Sequence, residues 1–144
     1  MPRHNPSLTK DQVFDLLAAA DLAKVVVHFS GGNDSGSVEE IYFLDADGKR
    51  VERPGLVADG WEGLTYQDLY DYNQDTYEWT LKPTAPDKHK LRDALEAPVY
   101  SVYGSFAGDF YVDGEVIYDV AERDVKMTRS EQVWSESESL DIQF

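Results

Sequence analysis

The sequence predicts an α+β fold: a single acidic domain over residues 1–144, with a mainly antiparallel sheet and two to three helices packed on one face. Three observations lead there. Strand-like runs come in consecutive groups, helical-period segments fall between the groups, and the turn-forming dipeptides Asp47-Gly48 and Asp113-Gly114 join neighbouring runs. Helices alternating with single strands would instead favour a doubly wound parallel sheet.

The first element is a helix over residues 10 to about 22. Thr9 and Gln12 form a capping-box pattern, and Val13, Phe14, Leu17 and Ala20 recur at helical spacing. Lys24–Ser30 (KVVVHFS) and Ser37–Asp45 (SVEEIYFLD) are β-branched, apolar strand runs, joined by the loop Gly31–Gly36. Asp47-Gly48 turns the chain into Lys49–Glu52, which extends a meander, and Pro54–Gly63 reads as loop. Thr65 caps a short helix through Leu69, and Thr76–Leu81 alternates as a strand. Pro86–Ala97 places Leu91, Ala94 and Leu95 on one helical face, with Pro98 as its stop. The remainder reads as a closing meander: Ser105–Asp113, the Asp113-Gly114 turn, Glu115–Ala121, a turn at Glu122–Asp124, and Val125–Trp134. Ser135–Ser139 (SESES) reads as a frayed polar edge.

Composition narrows the function classes. With 144 residues, 42% hydrophobic and 12% aromatic, the chain has enough apolar material for one core. No apolar run approaches the roughly 20 residues of a membrane span, and Met1–Pro6 lacks the apolar core of a secretion signal, so a soluble, cytoplasmic protein with no membrane partner is expected. The absence of cysteine removes thiolate catalysis and zinc-thiolate sites. A formal charge of −15 disfavours direct nucleic-acid binding, which needs clustered cations, and instead suits a basic protein partner, a metal cation or plain colloidal solubility. That charge is uneven: residues 31–80 carry −9 and 105–144 carry −7, while 1–30 is neutral and 81–104 is +1.

The densest block is residues 59–79, with six acids and no Lys or Arg, interleaved with Trp and Tyr side chains of the kind that anchor interfaces. Its candidate partner-binding residues are Asp59, Glu62, Asp68, Tyr70, Asp71, Tyr72 and Asp75, with Asp34 and Ser35 of the glycine loop as a second contact.

The other motifs are weaker. Gly31-Gly32-Asn33-Asp34-Ser35-Gly36 has the residues of an anion nest, but it lacks the Lys-Ser/Thr ending of a phosphate loop and suits a hairpin connection. Asp71-x-Asn73-x-Asp75 opens like a calcium loop, but Thr76 replaces the required Gly and Lys82 the closing Glu. His4, His28 and His89 share no metal-ligand spacing, and each is expected to be exposed or satisfied. Ser35, His28 and Asp34 make a triad only on paper, without a nucleophile elbow. Glu39 and Glu40, as strand neighbours, are expected on opposite faces. No catalytic residue, metal or cofactor is assigned.

The loop Ser30–Gly36 with Val38 and Glu39, together with Gly104–Val125, resembles a family of uncharacterised proteins carried by phages, plasmids and integrated elements. That family's loop reads Gly-x-Gly-Asp-Ser-Gly-x-Ile-Glu; here Asn33 stands in place of Gly and Ser37 in place of Gln. The resemblance implies a mobile-element context and no activity. The resulting expectation is a non-enzymatic acidic module that binds a basic host protein, as an inhibitor of a defence or DNA-handling protein. The alternatives are a ligand-binding, metal-binding or enzymatic role for the Gly31–Gly36 loop, and a structural accessory role.

Overall fold

The computed structural model describes residues 8–32, 35–53, 55–58, 62–75, 77–103, 111–131 and 136–141. In chain order the elements are α1 (Lys10–Ala19), β1 (Lys24–Gly32), β2 (Ser35–Leu44), β3 (Arg50–Val51), α2 (Tyr66–Leu69), β4 (Tyr70–Asn73), β5 (Glu78–Leu81), α3 (Asp87–Tyr103), β6 (Tyr111–Asp119), β7 (Asp124–Glu131) and β8 (Glu136–Asp141). The larger sheet has the order β3-β2-β1-β6-β7-β8 and is antiparallel throughout; β4 and β5 form a separate hairpin. This is the α+β class the sequence predicts.

The sheet is built outward from β1. Each of its nine residues has a partner in β6, and its ladder with β2 runs from Lys24 to Gly32. Val25, Val27 and Phe29 of β1 join Val116 and Tyr118 of β6 in facing α1 and α3. Those helices contribute Val13, Phe14 and Leu17, and Leu91, Leu95 and Val99, so the two helices share one face of the sheet. The capping box at Thr9 and Gln12 starts α1 as expected.

Five boundaries differ from the sequence expectation, each for a local reason. Gly31, Gly32, Ser35 and Gly36 are strand residues, with Gly31 opposite Gly36 and Gly32 opposite Ser35; residues 33 and 34 lie outside the described set. β2 carries a bulge: Val38 opposes Phe29 and Glu40 opposes His28, leaving Glu39 as the extra residue. Without it, Val38, Ile41 and Phe43 could not all pack on the helix side. Asp113-Gly114 is not a turn but the interior of β6. A Cβ at Gly114 would lie 2.6 Å from the Thr128 carbonyl oxygen and 2.7 Å from Phe29 Cζ, so the glycine makes room for the Phe29 ring. Residues 136–139 are no frayed end, since β8 ladders onto β7 from Glu136 to Asp141.

The fifth difference is Pro98, which sits inside α3 rather than ending it. Proline supplies no N–H to the carbonyl four residues back, here Ala94, and its ring crowds that turn. The fully buried Tyr118 hydroxyl repairs the defect. Its proton is shared between the Ala94 carbonyl that lost its donor, at 3.3 Å, and that of Leu95, at 2.9 Å. A strand side chain thus supplies a bond the helix cannot make, and joins the two layers in doing so.

Tyr118→Phe is therefore expected to cost about 1–3 kcal/mol in urea unfolding, the penalty for leaving a buried carbonyl without its donor. In a Pro98→Ala background the restored N–H should shrink that cost. Equal costs in both backgrounds would show that the hydroxyl does not serve the proline defect.

Candidate functional site

The side of the large sheet away from the helices is covered by no element among the described residues. Along β1 this face carries exposed Lys24, half-buried His28 and the buried Val26 and Ser30, and along β6 it carries Asp113, Glu115, Ile117 and Asp119. His28 stands at its middle, directly opposite Glu40 on β2 and Glu115 on β6.

Around that ring the polar groups are connected. His28 Nε2 lies 3.1 Å from Asp113 Oδ1, and Nδ1 lies 3.6 Å from Glu39 Oε2. The Ser30 hydroxyl donates to the other Glu39 oxygen, and Tyr42 Oη donates to Glu115 Oε2 at 3.0 Å. Arg50 ion-pairs with Glu40, and its guanidinium lies 4.7 Å from the Tyr42 ring centroid. The bulge makes this possible. It turns both Glu39 and Glu40 to the His28 side, which corrects the expectation that they point to opposite faces.

Electrostatically the cluster holds a cation inside a ring of carboxylates. The hydrogen bond to Asp113 raises the His28 pKa above its usual value; the charges of Asp113, Glu39 and Glu115 add to this, and burial opposes it. His28 Nε2 is within hydrogen-bond distance of Asp113, and Nδ1 makes a longer ion-pair contact with Glu39. The Ser30 hydroxyl faces Glu39 and not the imidazole, so the geometry does not assemble a serine nucleophile with a histidine base. Ser35 pairs with Gly32, four residues along β1 from His28, or about 13 Å at strand rise. The carboxylates sit on opposite ring nitrogens, and among the described residues no three His, Asp or Glu side chains are placed to share a metal ion.

The acidic run 59–79 is divided by the fold. Asp59 and Asp34 lie outside the described residues. Glu62 is ion-paired with Lys88. Asp68 caps α2, accepting from the Thr65 N–H at 2.7 Å; that bond holds its carboxyl below the usual range. Tyr70 stacks on Tyr66 with centroids 4.5 Å apart, and its hydroxyl donates to the buried Asp93 at 2.8 Å; burial and the Asp93 charge push the phenol far up. Asp71, Tyr72 and Asp75 are exposed on the β4 side of the small hairpin. That hairpin is anchored to α3 by Tyr70 and Asp93, while Leu91 and Leu95 of the same helix face the sheet core. The helix layer therefore separates Asp71, Tyr72 and Asp75 from the open face.

Two features escaped the sequence reading. The Asp113–Glu115 part of the site is visible as period two in Tyr111–Asp119, with 112, 114, 116 and 118 buried, but Asp113-Gly114 resembles a turn. His89 is buried rather than exposed or satisfied: it is 5% accessible, its Nε2 has no hydrogen-bond partner, and burial lowers its pKa.

A model of a family of unknown function (DUF6878) matches residues 6–144. No curated protein and no solved structure matches the chain. Among the described residues no helix is long and apolar enough to cross a membrane.

Two outcomes check this geometry. In an NMR titration, His28 should titrate above the usual 6.5, and Asp113→Asn should bring it down. Because the folded-state value is raised, the stabilisation is complete below about pH 6.5 and disappears as pH climbs through the raised value. An unshifted His28 would refute the ring of carboxylates. Tyr70→Phe, which deprives buried Asp93 of a donor, should cost about 1–3 kcal/mol in chemical denaturation.

Proposed function

Because the chain belongs to this family, whose description names no activity, we propose its function from the site: a non-enzymatic binding protein that docks a basic partner on the open face of its sheet. One observation carries the reading. Among the described residues, the face of the sheet that no helix covers is the one on which the fold gathers Glu39, Glu40, Asp113 and Glu115, with two of these carboxylates against the ring nitrogens of His28.

Such a face suits recognition of a cationic surface. The carboxylates of β2 and β6 flank β1, about 10 Å apart at two strand spacings, so a rigid array presents its charges without ordering a loop on contact. A net charge of −15 adds long-range steering, which should speed encounter and weaken with salt. In its finer form the partner is a nucleic-acid-handling host protein whose basic groove takes carboxylates in place of phosphates, and the chain is its inhibitor, encoded by a mobile element. Asp71, Tyr72 and Asp75, on the far side of the helix layer, form a separate contact in this reading.

The test is a pulldown from nuclease-treated bacterial lysate over a salt series, comparing the protein with an Asp113→Asn/Glu115→Gln variant that keeps both side-chain shapes. A basic protein retained at low salt, released at high salt and lost in the variant is the expected result. If retention survives the variant, the open face is not the docking surface.

A further inference from the structure

The bare outer edge of β2 offers a second means of recognition. β2 runs from Ser35 to Leu44, but β3 pairs only with Phe43 and Leu44. From Ser35 to Tyr42 no described strand lies along its outer side, and alternate backbone groups of such an edge point outward. One of them, the Val38 N–H, is met by Tyr100 Oη at 3.4 Å.

Beyond β3 the chain leaves the sheet. Its 52–58 segment is tied to α3, with the Ala58 N–H donating to the Lys88 carbonyl at 3.1 Å and Arg92 donating to the Ala58 carbonyl at 3.2 Å. This detour opens a cleft of about 700 Å³ where a longer β3 would have continued. Val38, Ile41, Phe43 and Val57 give it apolar walls, and Glu39, Glu40 and Glu52 line it with carboxylates. Its cations are engaged within the chain: Arg53 on the Ala20 and Glu52 carbonyls, Lys88 on Glu62, and Arg92 on Glu96 and Ala58. Among the described residues Glu52 has no ion-pair partner.

We infer that this edge captures an extended segment of a partner protein as an added strand, with basic side chains of the segment meeting Glu40 and Glu52 and its apolar ones entering the cleft. Strand addition draws affinity from main-chain hydrogen bonds and specificity from flanking pockets, and both are present here. A second copy of this chain is a poor occupant, because it would bring another −15 and set Glu39 and Glu40 against their own copies. The inference shares a basic partner with the proposed function, and the two surfaces meet at Glu39 and Glu40, while Glu52 and the apolar walls belong to the cleft alone. The cleft lies at the edge and on the helix side, away from Asp113 and Glu115.

The test uses the full chain and three labelled synthetic peptides: alternating Lys and Val, alternating Glu and Val, and the Lys/Val peptide with a central Pro. Anisotropy should show the Lys/Val peptide binding best, and hydrogen exchange should show amides within 35–42 slowed. Glu52→Lys should weaken binding about tenfold at low salt. Asp113→Asn/Glu115→Gln should weaken peptide binding less than Glu52→Lys does, so a failed open face and a failed edge give different results. Absence of binding, equal binding of the Pro peptide, or protection on β1, β6 or β8 instead of β2 would overturn the inference.

Discussion

The whole sheet hangs on β1, which must serve two environments at once. Its odd-numbered residues Val25, Val27 and Phe29 are buried beneath α1 and α3, and its two ladders join the N-terminal meander to the C-terminal one. A strand hydrogen-bonded on both sides has no freedom to slip, because a shift of one residue would move His28 into the core and Phe29 into water. Every later feature of the molecule inherits that register. The bulge in β2 keeps Val38 and Ile41 on the core side of β1, and Gly114 in β6 leaves room for the Phe29 ring. At the other end, Arg123 in the β6–β7 turn reaches Asp11 and Asp15 of α1, so the closing meander is tied to the first helix.

Much of this was legible, and where it was not, the cause is specific. Helical spacing located α1 and the first part of α3, β-branched apolar runs located β1 and β2, alternation located β5, and the Thr65 cap located α2, which together gave the α+β class. Local rules failed where a distant residue overrules a local preference. Pro98 signals a helix end, but the Tyr118 hydroxyl, twenty residues later, reaches the carbonyls the proline disturbs. Asp113-Gly114 signals a turn, yet the glycine is there for Phe29 on the neighbouring strand. Nothing within a few residues of either position reveals its partner.

The site was less legible than the fold, because charge density along a chain is a different quantity from charge density on a surface. The 59–79 run is the most acidic in sequence, but Glu62, Asp68 and Tyr70 are engaged in holding it in place. The open face draws instead on carboxylates from β2 and β6, which are more than seventy residues apart and meet across His28. One part of its sequence signature, the paired Glu39-Glu40, was misleading, since strict alternation sends the two side chains apart and only the bulge brings them together.

The same geometry explains how the face tolerates so much negative charge. Like charges on neighbouring strands repel, and an uncompensated row would destabilise the sheet. The structure interleaves counter-charges: His28 between Asp113 and Glu39, Arg50 against Glu40, and the Tyr42 hydroxyl on Glu115. These contacts are half-exposed and individually weak, so their role is to make an acidic surface compatible with folding rather than to drive it. A partner that brings its own cations would share the carboxylates with His28 and Arg50, and would gain most where an internal cation is absent. At the cleft, Glu52 makes no ion pair among the described residues and acts on Arg50 only through its charge, whereas the carboxylates around His28 are already in contact with a ring nitrogen or a hydroxyl, so the two parts of the sheet would receive a cation on different terms.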